Sequence, residues 1–231
     1  ACLMSNPLCS KSEFAMVLAC FVWVLPVTSQ TILVQPYLQL ATPTSMVVMW
    51  ETNTNTETIL EYGITQNLGS FASGTTIVTP NATILHTSTL TGLSPATRYY
   101  YKAVTGSWQS AIYDFVTPPN RDSEASFNIV LMSDMQKDGS NPNIFANLIN
   151  TSLLPYIDST YGTPLSDHLQ MAVLPGDVVD NGNDYGQWKN DFFDPGQALW
   201  RSVPCYPAIG NHEVNSQNYF NYYTLPENGT P

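Results

Sequence analysis

Residues 31–118 contain short runs of β-branched and aromatic residues, and these runs are separated by residues typical of turns. The runs span 45–50, 58–62, 75–79, 82–86, 98–104 and 111–117. None shows the spacing of apolar positions that is typical of a helix, and strands at this spacing predict an all-β sandwich over 31–118. Pro118 and Pro119 follow the last run, where Pro ends a strand because it cannot donate to the ladder.

From residue 127 onward, apolar runs alternate with helical stretches. The runs 127–132, 169–174 and 203–209 are of the buried-strand type. One helix is predicted from Pro142 to about residue 157, and a second is predicted to be capped by Asp184 and to break near Pro195 and Gly196. The order of strands and helices predicts an α/β domain over 127–231.

The first 29 residues differ from the rest of the chain. Lys11 precedes an apolar run over 14–27, and the small polar residues Thr28 and Ser29 follow it. This order resembles a secretory signal peptide, which implies a secreted or periplasmic protein whose mature chain has no membrane span. The run is shorter than the roughly 20 residues of a transmembrane helix. An uncleaved anchor, a lipoprotein processed at Cys20 and a mistranslated upstream stretch are the alternatives.

Charge and cysteine content narrow the classes of function. The chain has 7 Lys and Arg against 18 Asp and Glu, a net charge of −11. Nucleic acids and anionic membrane surfaces are therefore poor partners, because both are bound mainly by cationic side chains. Three of the four cysteines lie in residues 1–29, so Cys205 would have no intrachain disulfide partner in a processed chain. Asn81, Asn150 and Asn228 match the glycosylation acceptor pattern.

Polar side chains follow each predicted strand of the second region. Asp134 and Gln136 follow the first, Asp177 the second, and Asn211 and His212 the third. In α/β sheets the carboxyl ends of parallel strands share one rim, so these side chains are expected to converge. Carboxylate and amide oxygens are hard ligands for cations, and His supplies a nitrogen ligand or a proton. A carboxylate that bridges two cations holds them roughly 3.5–4 Å apart, the spacing used for in-line attack on phosphorus.

Two sets of motifs resemble known families. Gly176-Asp177 and the tetrapeptide Gly-Asn-His-Glu over 210–213, placed after Asp134, look like the opening motifs of the calcineurin-like metallophosphoesterases. The segment 90–101 resembles the turn and strand of fibronectin type III domains, in which Tyr99 would be the corner tyrosine. The combination is similar to the purple acid phosphatase branch.

The resemblance implies a role for each candidate residue. Asp134 would hold the first of two divalent or trivalent metal ions (Fe, Zn or Mn), Asp177 would bridge both, and Asn211 would hold the second. Gln136 stands where relatives have His or Gly, and it could be a weak metal ligand or a substrate contact. His212 would donate a proton to the leaving group. The implied protein is a secreted phosphoesterase that hydrolyses phosphate monoesters or diesters by a metal-bridged hydroxide.

The chain departs from that family pattern in ways that leave two other functions open. Asp180 stands where purple acid phosphatases carry the tyrosine behind their colour, so a colourless protein is expected. No His follows His212, although the family takes further His ligands from later motifs. The α/β domain is therefore expected to be incomplete at its C-terminus, and alone it should bind metal poorly and turn over little. A catalytically degenerate surface binding or adhesion protein and a nucleotide or phosphodiester hydrolase are the alternatives, and the oligomeric state stays open.

Overall fold

The first half of the chain is an antiparallel β-sandwich, as predicted. The computed structural model describes residues 30–54 and 57–225, so the expected signal peptide and Asn228 lie outside the described residues. One sheet has the order β1-β2-β6-β5; the other has the order β4-β3-β7-β8, with β9 also paired to β7. The strands are β1 Ile32–Thr42, β2 Ser45–Thr52, β3 Ile59–Gly63, β4 Ser70–Ser73, β5 Thr75–Val78, β6 Ile84–Thr91, β7 Arg98–Thr105, β8 Trp108–Gln109 and β9 Tyr113–Val116.

Three strands, β1, β4 and β8, were not among the predicted runs. The pairing of β1 with β2 shifts register between Val34 and Tyr37, on either side of Pro36. Pro has no N–H to donate to the ladder, so a strand that contains it reads poorly from sequence. β4 is largely exposed and lacks an alternating pattern, and β8 has two residues.

The corner tyrosine forms the contact expected of it. The backbone N–H of Ser94 donates to the Tyr99 hydroxyl at 2.9 Å, which pins the turn that enters β7. Trp50 is fully buried in the same core cluster, and its Nε1 donates to Thr105 Oγ1 at 2.8 Å. Both aromatic residues therefore stabilise the sandwich.

His86 is a packed residue of the sandwich. It is fully buried, and its ring nitrogens lie 2.8 Å from the hydroxyls of Thr52 and Thr58. The ring stacks on Trp50 with centroids 5.1 Å apart. Burial lowers the pKa of His86 to about 4.

We expect His86 to make the sandwich sensitive to mild acid. Above pH 6.5 the residue is neutral in both states, so it adds no pH dependence. Between pH 6.5 and about 4 the unfolded chain takes up a proton that the folded chain does not. The free energy of unfolding should therefore fall by about 3 kcal/mol over this range. Urea denaturation at several pH values measures the slope, and His86→Gln should lack this contribution; equal slopes in both proteins would contradict the assignment.

The second half is an α/β region, again as predicted. Its parallel strands have the order β10-β11-β12, so β11 is central. Two helical stretches contain a π-helical turn each, at Leu148–Leu153 and Trp188–Phe193. The elements are β10 Ile129–Leu131, α1 Ile144–Asn147, α2 Leu154–Tyr161, β11 Met171–Leu174, α3 Tyr185–Gln187, α4 Asp194–Trp200, β12 Cys205–Pro207 and α5 Gln217–Tyr222. None of the described helices is long and apolar enough to cross a membrane.

The predicted helix break near Pro195 and Gly196 was wrong, although Asp184 caps the helix as expected. Asp184 Oδ1 accepts from the Gly186 N–H at 2.8 Å. Pro195 lies in the first turn of α4, directly after the π-helical turn, where its missing N–H is tolerated. A Cβ on Gly196 would lie 2.1 Å from Trp200 Nε1, so the glycine lets this tryptophan pack on the helix.

The sandwich and the α/β region share one apolar core. The outer face of the β1-β2-β6 sheet belongs to the same buried cluster as the helices and strands of the second region. Its contributing residues are Val34, Tyr37, Val47, Met49 and Leu85. The sheet is therefore buried on both faces, which explains why the apolar run over 45–50 is continuous instead of alternating.

Candidate functional site

The loops after β10, β11 and β12 are joined by hydrogen bonds around Asp177. The Asp134 N–H donates to the Gly176 carbonyl at 3.3 Å, and the Gln136 N–H donates to the Asp177 carbonyl at 3.2 Å. From the third loop, the His212 N–H donates to Asp177 Oδ1 at 3.0 Å. These bonds bring together four of the predicted site residues, and Asn211 lies in sequence beside His212. Asp177 is in the middle because it follows the central strand.

Two glycines allow the second and third loops to touch. Gly176 has a φ of +111°, and a Cβ there would lie 2.9 Å from the Gly210 Cα. A Cβ on Gly210 would lie 2.1 Å from Asp177 Oδ1 and 2.4 Å from its backbone nitrogen. No other residue type fits this approach without displacing Asp177.

Both candidate aspartates have a left-handed backbone. The φ angles of Asp134 and Asp177 are 54° and 51°. This conformation costs an L-residue roughly 1–2 kcal/mol, although Asp tolerates it better than most. Such residues cluster at functional sites, where surrounding contacts hold them. Local strain at two strand ends therefore favours a site at this rim.

Glu213 organises the site, a role that the sequence did not reveal. Its carboxylate is fully buried and accepts backbone N–H groups from both loops. Oε1 accepts from Val178 at 2.8 Å and Val179 at 3.3 Å. Oε2 accepts from Asp177 at 3.0 Å and Gly210 at 2.7 Å. The available signal was its place as the last residue of the tetrapeptide Gly-Asn-His-Glu.

His212 is half-buried and is oriented by the loop that follows Asp177. Its Nδ1 donates to the Asp180 carbonyl at 2.8 Å, and its carbonyl accepts the Gly182 N–H at 3.0 Å. The bond to Asp180 raises the pKa of His212, and the negative charges of Asp177, Asp180 and Glu213 act in the same direction. The ring is thus fixed by one nitrogen.

The side chains at the rim form an oxygen-rich set of possible ligands. Asp134 and Asp177 supply carboxylates, and Gln136 and Asn211 supply amide oxygens. Gln136 Oε1 is buried and has no hydrogen-bond partner among the described residues, as expected of an oxygen that binds a cation. Over 30–54 and 57–225, no three His, Cys, Asp or Glu residues are grouped to hold a metal ion. Carboxylate and amide oxygens are hard donors, so the chemistry of these residues fits part of a coordination shell for a hard cation.

Two family models match successive parts of the chain. Residues 127–230 match the family model of the calcineurin-like phosphoesterases. Residues 33–117 match the model of the purple acid phosphatase N-terminal domain. The second half of the chain is therefore similar to the calcineurin-like phosphoesterases, and its sandwich is similar to the N-terminal domain of purple acid phosphatases. The resemblance read from the motifs is confirmed.

The structure of PhoD shares the overall fold. The structure of PhoD superposes with a TM-score of 0.57 at 12% identity, covering 85% of this chain and 46% of that chain. The chain thus spans about half the length of PhoD, and the likeness concerns the fold. The sensor domain of the anti-sigma factor RsgI4 from Pseudobacteroides cellulosolvens superposes with a TM-score of 0.33 at 19% identity. The match covers 43% of this chain and 100% of that domain. Among curated proteins, no match was found.

Proposed function

We propose that this chain is part of a secreted, metal-dependent phosphoesterase that hydrolyses phosphate esters. The observation that carries the proposal is the hydrogen-bonded meeting of three strand-end loops on Asp177. The match of residues 127–230 to the family model of the calcineurin-like phosphoesterases supports the reaction class. Within residues 1–29 a basic residue is followed by an apolar run and then by small polar residues, and this order supports secretion.

Four side chains would hold a pair of metal ions. Asp134 and Gln136 would bind one ion, Asn211 the other, and Asp177 would lie between them because it follows the central strand. When bound, such a pair lowers the pKa of water and supplies hydroxide for direct attack on phosphorus, so no phospho-enzyme is needed. Glu213 keeps the carboxylate of Asp177 in place through the bonds that it accepts from both loops.

His212 would supply the proton to the leaving oxygen. Its Nδ1 is committed to the Asp180 carbonyl, because a carbonyl oxygen can only accept. The transferred proton would therefore come from Nε2. The same bond fixes the orientation of the ring, which general acid catalysis requires.

Metal binding by the full-length protein is the first test. Mn²⁺ is a suitable probe because carboxylate and amide oxygens bind it well. Calorimetric titration should show Mn²⁺ binding that Asp177→Asn weakens by at least about tenfold, because the proposed bridging carboxylate loses its charge. Asp158→Asn, an exposed change on α2, should leave the affinity unchanged. Equal affinities for the wild type and Asp177→Asn would overturn the metal assignment.

A turnover assay distinguishes the phosphoesterase from the alternative, a catalytically degenerate binding protein. Gln136 and Asp180, which stand in place of the family's residues, favour this alternative. The full-length protein, loaded with Mn²⁺, should release product from an aryl phosphate monoester or diester, and the preference between them identifies the substrate class. A full-length protein that binds Mn²⁺ and leaves both esters intact would favour the binding protein.

A further inference from the structure

The short helix α5 lies between the sandwich and the candidate site. On the sandwich side, the Tyr222 hydroxyl donates to Glu51 Oε2 at 3.0 Å, and the Tyr222 carbonyl accepts from the Tyr37 hydroxyl at 2.8 Å. Asn81 Nδ2 donates to Asn218 Oδ1 at 3.3 Å. Three residues of the sandwich thus bind one helix of about two turns.

The N-terminal end of α5 binds the loop that orients His212. Ser216 Oγ, at the N-cap, donates to the Gly182 carbonyl at 2.5 Å, and Asn218 Nδ2 donates to the same carbonyl at 3.0 Å. Gly182 in turn donates its N–H to the His212 carbonyl at 3.0 Å. A series of polar contacts therefore runs from Glu51 to His212. Its side chains are buried: Glu51 at 0%, Tyr222 at 1%, Ser216 at 3% and Asn218 at 5% exposure.

We propose that Glu51, a side chain of the sandwich, is a positioning residue for the candidate site and acts through Tyr222 and α5. The inference rests on the proposed function only in taking the loop of Asn211 and His212 as part of the site. Under this proposal the N-terminal sandwich helps to position the site, because Glu51 holds the helix α5, which in turn supports this loop.

The surroundings of Glu51 are polar and enclosed. The Thr83 hydroxyl donates to Oε1, and the Tyr185 hydroxyl is buried close by. Lys189, paired with Asp194 at 2.5 Å, is the nearby cation, and Tyr37 and Tyr222 are the other titratable groups that face the carboxyl. Burial raises the pKa of Glu51, while the bonds from Thr83 and Tyr222 and the charge of Lys189 partly oppose this shift.

The sign of the pH effect follows from the raised pKa. The contribution of Glu51 to stability is fully present below its unfolded pKa of 4.5 and is lost as pH rises through the folded value. The support of α5 should therefore be firmest in acid and weaker once the buried carboxyl is charged. Gln has nearly the same shape and cannot ionise, so Glu51→Gln isolates the effect of charge.

The test compares Glu51→Gln with the wild type at pH 4.5 and pH 8. The melting temperature of Glu51→Gln should match the wild type at pH 4.5 and exceed it by roughly 2–4 °C at pH 8. Hydrogen exchange in peptides covering 180–182 and 211–216 should be slowed in the variant at pH 8 by at least about threefold. Comparison of the two proteins at the same pH cancels the titration of His212.

Two further variants complete the design. Glu61→Gln, a control on β3 whose side chain pairs with Lys102 at 3.0 Å, should change neither exchange nor its pH dependence in these peptides. Tyr222→Phe removes the link and should speed exchange there at both pH values. If Glu51→Gln alters melting but leaves exchange at 180–182 and 211–216 unchanged, Glu51 is only structural and the inference is overturned. The readout needs neither metal nor ester, so failure of Mn²⁺ binding would leave it intact.

Discussion

Replacing Glu213 by Ala should lower the free energy of unfolding by about 4 kcal/mol, the largest effect of any single change described for this chain. The carboxylate is fully buried and accepts from the N–H groups of Asp177, Val178, Val179 and Gly210. Without it these donors are left unpaired, and each unpaired buried donor costs roughly 1–3 kcal/mol unless water enters. Urea denaturation measures the loss.

Two comparisons make the result specific. Glu61→Ala removes a partly exposed carboxylate that pairs with Lys102, so a loss of about 0.5 kcal/mol is expected. Glu213→Gln keeps the shape but turns an NH₂ group toward backbone donors, and its loss should be intermediate. A Glu213→Ala loss no larger than that of Glu61→Ala would show that the loops hold together without this carboxylate.

Replacing Gly210 by Ala should cost about 2–3 kcal/mol and should weaken Mn²⁺ binding at the candidate site. The new Cβ would lie 2.1 Å from Asp177 Oδ1 and 2.4 Å from the Asp177 nitrogen. Backbone cannot give way as a flexible side chain does, so Asp177 must move, and its bond from the His212 N–H must lengthen. Denaturation and calorimetric titration with Mn²⁺ measure the two losses.

Gly139→Ala is the matched control for this change. A Cβ at Gly139 meets nothing within 4 Å, and the residue lies on the loop that follows β10. Its substitution should be neutral in both measurements. If Gly210→Ala matched Gly139→Ala in stability and in affinity for Mn²⁺, the close approach of the two loops would not matter for the site.

Local patterns predicted most of the fold. Short strands and turn residues predicted the sandwich, and the polar residues at strand ends predicted which loops meet, because parallel strands end at one rim. Pro36 concealed β1, since a Pro within a strand reads as a break. Pro195 was read as the end of a helix for the same reason, and the π-helical turn before α4 accommodates it.

The parts of the site that could not be predicted depend on contacts between distant residues. Glu51 and Tyr222 are 171 positions apart, and no periodicity connects them. Glu213 was visible in a motif, but the N–H groups that it accepts belong to the turn after another strand. Such roles follow only when the chain is folded, so sequence indicated the candidate ligands better than the groups that support them.

The core shared by the β1-β2-β6 sheet and the α/β region determines whether the two regions can be separated. Tyr37, Val47 and Met49 pack among residues of the α/β region, so this face of the sheet is buried. Cutting the chain between β9 and β10 would expose apolar surface on both pieces. The sandwich and the α/β region should consequently unfold together as one cooperative unit. Replacing the sandwich by that of a distant relative would require redesign of the apolar residues between the two regions.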